Sequence, residues 1–174
     1  MKAPSLSTVV NVVLLLVALL IGGLHLRTYL TPAPAPGGGR PNVQKGQKAP
    51  VLPGVDYRSG QTLVMFLHSK CQYCTQSMPF YRTLKDRRSS ALRFVIATRD
   101  TEGVMREYLA AHDLDVDVVA PIGEGGDPRL YLTPTLFLVS QNGVVENVWV
   151  GALEPSREAD VTNALARVQA STRP

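Results

Sequence analysis

The sequence predicts an α/β domain, a mixed β-sheet with helices on both faces, preceded by one N-terminal apolar segment of membrane-spanning length. Three observations carry this. Short β-type runs alternate with stretches of helical period between residues 46 and 170; the last two strands are separated by the turn dipeptide Asn142-Gly143; and residues 8–26 hold 19 uncharged residues. Strands alternating with helices require parallel crossovers, whereas a tight turn requires an antiparallel pair, so the sheet must be mixed.

After a short tail at 1–7, the apolar segment opens at Thr8 and closes at Leu26, with Asn11 and His25 its markedly polar residues. At about 1.5 Å of rise per residue it just reaches across a hydrocarbon layer of about 30 Å. A cleaved signal peptide would want a small-x-small site, and the nearest, Ala33-Pro34-Ala35, is interleaved with proline. An uncleaved anchor is therefore expected, with its orientation weakly encoded because Lys2 and Arg27 flank it on opposite sides. Residues 27–45 read as a linker: alternating prolines stiffen its first half, and Gly37, Gly38 and Gly39 loosen its second.

Within the domain at 46–170, residues 51–57 suggest a short opening strand or hairpin interrupted by proline and glycine. The unbroken apolar run 63–67 predicts a strand buried on both faces. Residues 75–87 come next as a helix with Met78, Tyr81 and Leu84 on one side, then a strand at 92–97. A second helix is expected at 102–112 with Val104, Tyr108 and Ala111 inward. A strand at 116–119, a loop at 123–128, strands at 135–139 and 144–150 and a closing helix at 158–170 complete the domain, with a tail at 171–174.

All 14 acidic residues lie after residue 50, and from Arg40 onward 16 basic residues face them, so the domain itself is nearly neutral. No stripe of cations interleaved with aromatics appears, and nucleic acid is not an expected partner. Lys85, Arg87 and Arg88 suit the negative end of a helix instead.

The only two cysteines, Cys71 and Cys74, stand where the core strand becomes a helix. A cysteine at a helix N-terminus meets unpaired N–H groups and the positive end of the macrodipole, which favour the thiolate. Cys71 is thus the expected nucleophile. Cys74 falls one turn deeper on the same face, placed to attack a mixed disulfide on Cys71 and resolve it. His68, three residues before Cys71, and Lys70 are candidates for tuning its pKa, and Tyr73 for shaping the rim. Two cysteines are too few for a stapled secreted framework and point to redox or metal chemistry.

Thr133-Pro134-Thr135 opens a strand about sixty residues after the cysteines, and Trp149-Val150-Gly151 closes the next one. With the Cys71-Gln72-Tyr73-Cys74 motif between strand and helix, residues 46 to 170 resemble the thioredoxin superfamily, in particular its membrane-anchored TlpA and ResA type of thiol-disulfide oxidoreductase. The resemblance implies a thioredoxin-like fold and a cis Pro134 beside the sulfurs. It also implies a substrate segment pairing with Thr133, and a cycle needing no metal or organic cofactor beyond a Cys71–Cys74 redox-active disulfide. It further implies protein thiol or disulfide substrates, such as apocytochrome c, and a membrane dithiol that donates or accepts electrons. The sequence departs from the family at Leu67 and Lys70, where many members carry tryptophan, and at Met65, where cytoplasmic thioredoxin has a buried aspartate. It departs again at Ser77, where many TlpA-type members have glutamate.

Two other readings compete. A peroxide-reducing enzyme of the same fold wants a Pro-x-x-x-Thr spacing before its cysteine, which His68-Ser69-Lys70 lacks. A copper-binding module would use two thiolates, which suit Cu(I), with only His68 and His112 as histidines outside the anchor. A disulfide cycle operates most naturally on the oxidising side of a membrane, so a single-pass inner-membrane protein with a periplasmic domain is expected.

Overall fold

The structure, a computed structural model, describes residues 11, 14–21, 42–89 and 91–171. The chain divides into two units, residues 1–39 and 40–174. In the first, Asn11 and residues 14–21 are helical and exposed. Among the described residues no helix is long and apolar enough to cross a membrane. Much of the expected span at 8–26 lies outside the described residues, as do the 1–7 tail, the linker up to Pro41 and the end of the chain from 172.

Among its described residues, the second unit is a five-stranded sheet of order β3-β2-β1-β4-β5 with three α-helices. Its elements run β1 Gln61–Leu67, α1 Gln72–Leu84, β2 Leu92–Thr98, α2 Glu102–Ala111, β3 Val118–Pro121, β4 Thr135–Val139, β5 Val145–Val150 and α3 Pro155–Ser171. β1 pairs in parallel with β2 and β2 with β3, while β4 runs antiparallel to β1 and to β5. The mixed sheet expected from the sequence is present.

β1 is flanked on both edges, and its side chains alternate between two cores. Leu63, Met65 and Leu67 face one, with Phe94 and Ile96 of β2, Leu136 and Leu138 of β4 and Trp149 of β5. Val64 and Phe66 face the other, with Val95, Ala97, Phe137 and Val139. Every residue from Thr62 to Leu67 is buried, which explains the unbroken apolar run.

The helices depart from the expectation that they cover both faces. Met78, Tyr81 and Leu84 of α1, Met105 and Leu109 of α2, and Val161, Leu165 and Val168 of α3 all join the first core. Topology supplies the reason. The crossovers β1-α1-β2 and β2-α2-β3 step the same way across the sheet, and right-handed connections made in one direction place their helices on one face. The second face is covered instead by Val43, Leu52, Val55 and Tyr57 from the segment before β1, and by Ile122 and Leu130 from the connection to β4.

That leading segment forms no strand of its own at 51–57. Its backbone runs beside the chain entering β5, with an isolated bridge between Lys48 and Val144 and hydrogen bonds from Gly46 to Val145 and from Ala49 to Gly143, and it closes in a 3-10 turn at Tyr57–Ser59. Pro50, Pro53 and Gly54 (φ +72°) interrupt any ladder. α2 also turns a different face inward: Met105 and Leu109 are buried, Tyr108 is half-buried, and Val104 and Ala111 are exposed. Two overlapping apolar stripes compete in so short a helix, and the one carrying the longer side chains, Met105 and Leu109, is buried.

At the end of α1, a 3-10 turn Lys85–Arg87 leads to Arg88, whose guanidinium bridges Asp115 and Asp117 at 2.6 Å each. Asp117 also accepts the Phe94 N–H, so these carboxylates fix the approach of the segment before β3. At the far hairpin, Gly143 (φ +69°) donates to the Ser140 carbonyl at 2.9 Å in a backbone conformation that favours glycine.

Candidate active site

The two cysteines sit just past the end of β1. The Cys71 N–H donates to the His68 carbonyl at 3.0 Å, turning the chain, and Cys71 then takes extended dihedrals (φ −86°, ψ 110°) as the N-cap of α1. Its sulfur accepts the Cys74 N–H at 3.1 Å, occupying the place a serine or aspartate oxygen fills in an ordinary cap. The helix therefore begins at Gln72, three residues earlier than its apolar period indicated. Cys71 is partly exposed, Cys74 is buried, and both are free thiols.

The opposite wall is the start of β4. The Thr133–Pro134 peptide is cis, and the Cys71 thiol donates to the Thr133 carbonyl at 3.6 Å. Thr133 is half-buried and Pro134 buried. Gly151, with φ +83°, donates to the Pro134 carbonyl at 2.8 Å and ties the end of β5 to this wall. Around the opening, Tyr73 and Leu132 expose apolar surface.

The two thiols have opposite electrostatics. Burial pushes the Cys71 thiol up, but hydrogen bonds from the Cys74 and Thr133 side chains and from the Cys74 and Tyr73 backbones outweigh it and leave the group below the ordinary thiol range. Burial pushes Cys74 up to about 12, and the hydrogen bond with Cys71 adds to the rise. One sulfur is prepared to be a thiolate and the other to keep its proton.

His68 and Lys70 lie beside the motif, but the His68 ring is engaged away from it. Its Nδ1 accepts the Lys70 N–H at 3.0 Å, and its Nε2 stands 3.4 Å from Asp100 Oδ1. Lys70 is exposed. Asp100, which no motif or spacing singles out, also accepts the Ser69 N–H at 2.7 Å. A signal for it exists only through pairing: the parallel register sets Leu67 against Thr98, so the residues after each strand end side by side.

Two tyrosines complete the surroundings. The Tyr108 hydroxyl of α2 lies 3.0 Å from Thr75 Oγ1, and Thr75 Oγ1 lies 3.4 Å from the Cys71 carbonyl, which latches α2 to the first turn of α1. Tyr81, on the same helix as the thiols, has its whole side chain buried in the first core. Among the described residues no group of three His, Cys, Asp or Glu side chains is placed to hold a metal ion.

A dithiol at the junction of the central strand with a helix, faced by a cis-proline loop, on a sheet of this order, places the chain in the thioredoxin superfamily as a redoxin-type domain. Among solved structures, it is similar to a protein of Chlorobium tepidum provisionally designated thiol:disulfide interchange protein DsbE. That match has 26% identity and a TM-score of 0.57, and covers 73% of this chain and 99% of that one. In fold it is also similar to a provisionally designated thioredoxin of Neisseria meningitidis (16% identity, TM-score 0.54, 71% of this chain and 92% of that one). A second Chlorobium tepidum thiol:disulfide interchange protein of the thioredoxin family is likewise similar (19% identity, TM-score 0.52, 72% and 98%). No protein-family model matches the sequence, and no curated protein matches it.

Proposed function

We propose that the protein is a thiol-disulfide oxidoreductase that exchanges disulfides with protein thiols through Cys71 and Cys74, tethered to the inner membrane by residues 8–26 with its domain on the periplasmic side. The observation that carries this reading is the divergence of the two thiols on one helical turn. Cys71 lies below the ordinary thiol range and reaches the surface; Cys74 is buried and raised to about 12. Paired groups whose environments separate their pKa values take separate roles.

The Cys71 thiolate attacks a substrate disulfide, forming a mixed disulfide and releasing one substrate thiolate. Cys74 then attacks the Cys71 sulfur, the intermolecular bond breaks, and the second substrate sulfur leaves as the Cys71–Cys74 disulfide forms. Two electrons pass from the protein to the substrate, and the reverse sequence oxidises a substrate dithiol. An extended substrate segment would lie along Thr133 with Tyr73 and Leu132 at its sides. A membrane dithiol partner would restore the starting redox state, and the cysteines of an apocytochrome c are suitable substrates.

The test is equilibration of the purified chain in glutathione or dithiothreitol buffers of graded potential. A two-electron couple, absent from Cys71→Ser, is expected. A potential near about −270 mV or lower assigns a reductant, and one near about −120 mV assigns a disulfide donor. No couple at all would overturn the reading.

A further inference from the structure

The wall that carries Thr133 is held at three alternate backbone carbonyls. Thr135 Oγ1 donates to the Leu132 carbonyl at 2.7 Å, and the Gly151 N–H donates to the Pro134 carbonyl at 2.8 Å. The third carbonyl, that of Leu130, accepts from Arg99 Nη2 at 2.9 Å. The Thr133 carbonyl, which accepts from the Cys71 thiol, lies within this series. β4 and the end of β5 supply the first two donors, whereas Arg99 comes from beyond β2, two strands across the sheet.

The pleat of β2 explains how Arg99 gets there. Successive residues of an extended chain point to opposite faces. Ile96 faces the first core and Ala97 the second, so Thr98 and Asp100 turn toward the first and Arg99 toward the second, the face that Ile122 and Leu130 cover. The backbone around Arg99 is fixed: buried Thr98 accepts the Asp100 N–H on Oγ1 at 3.1 Å and the Ile122 N–H on its carbonyl at 2.8 Å. From that base the guanidinium also donates through Nη1 to the Gly123 carbonyl at 3.3 Å, so it spans the connection between β3 and β4 from Gly123 to Leu130. A planar fork of donors suits this task, because it meets two acceptors without losing much freedom. The Leu130 side chain is already buried in the second core, which fixes where the residue sits. Arg99 fixes how its carbonyl is aimed, and with it the course of the chain leaving toward Thr133.

We propose that Arg99 is a positioning residue for the substrate-binding edge at Thr133, a role that rests on the oxidoreductase reading. Asp100 holds the loop that launches Cys71 through the Ser69 N–H at 2.7 Å, and Arg99 holds the facing wall. Adjacent residues on opposite sides of one strand end thus set the gap between nucleophile and substrate edge. The setting matters for a substrate whose extended backbone lies along residues 131–133 while its disulfide meets Cys71. A small disulfide with no peptide backbone makes no such demand.

Two disulfides separate these cases. One is the symmetric disulfide of a short blocked peptide with cysteine at its centre; the other is 2-hydroxyethyl disulfide, which presents the same dialkyl bond without a backbone. Each oxidises the reduced dithiol and is itself reduced to two thiols, and the loss of protein thiols is followed. Arg99→Gln is expected to slow the reaction with the peptide at least threefold and to leave that with 2-hydroxyethyl disulfide unchanged. Exchange of the Gly151 amide, which bonds the Pro134 carbonyl, should quicken at least threefold, while that of the Asp117 amide, bonded to the Phe94 carbonyl at 2.9 Å, should not. Arg99→Lys keeps the charge but cannot span both carbonyls; it should show the same pattern, and it decides the matter if Arg99→Gln does not fold. Less than a threefold loss with the peptide, an equal loss with both disulfides, or unchanged Gly151 exchange overturns the role. If the unsubstituted chain reduces neither disulfide, the oxidoreductase reading falls; if it reduces both and the variants match it, only the role of Arg99 falls.

Discussion

Asp100 accepts a hydrogen bond from the backbone N–H of Ser69 at 2.7 Å, joining the residues beyond β2 to the loop that launches Cys71. Its side chain is only 11% exposed, and its second oxygen stands 3.4 Å from His68 Nε2. The carboxylate thus holds the start of the motif from below while the thiols face the opposite wall.

Replacing Asp100 by alanine leaves the Ser69 N–H without its partner and frees the His68 ring. A loss of about 1–3 kcal/mol is expected, the usual cost of stranding a partly buried donor. Urea denaturation of the reduced protein measures it. Stability unchanged within about 0.5 kcal/mol would show that solvent replaces the carboxylate freely.

The lowered Cys71 thiol predicts alkylation that begins at lower pH than for an ordinary cysteine. The rate of iodoacetamide reaction with the reduced chain should rise with a midpoint below the free-thiol value of about 8.5. Peptide mapping should place the label on Cys71 and spare buried Cys74. A midpoint at or above about 8.5 would remove the helix cap as the cause of reactivity.

Cys74 predicts a pH effect on folding. Its thiol is raised to about 12 in the folded state, so the folded chain holds this proton more tightly than the unfolded chain. Stability from this group is intact below the unfolded value near 9 and is lost as pH rises from there toward 12. Thermal unfolding of the reduced protein between about pH 8 and about pH 11 should show the decline, and Cys74→Ala should flatten it. A decline of the same steepness in Cys74→Ala would assign it to other groups.

Much of the site is legible in the sequence because its determinants are local. The cysteine spacing, the apolar run before it and the threonine–proline pair each declare themselves within a few residues. Asp100 does not, because its role depends on a parallel pairing between strands some thirty residues apart. Tyr81 reads correctly as a core residue from its helical spacing, but that period carries no information about where its hydroxyl ends. The one-sided arrangement of helices was hidden for a related reason: the alternation of strands and helices is the same whichever way successive crossovers step. The mistaken inward face of α2 has a simpler origin, since Val104 and Met105 are adjacent and only packing chooses between them.

The cap formed by Cys71 also works in reverse. Whatever free energy the first turn of α1 lends to the thiolate, the thiolate returns to the first turn, since the two are one coupling read from opposite ends. Withdrawing the charge from that sulfur, by acid or by oxidation, loosens the grip on the Cys74 amide. Fraying at the start of this helix, followed through exchange of that single amide proton, would therefore report the chemical state of the sulfur above it.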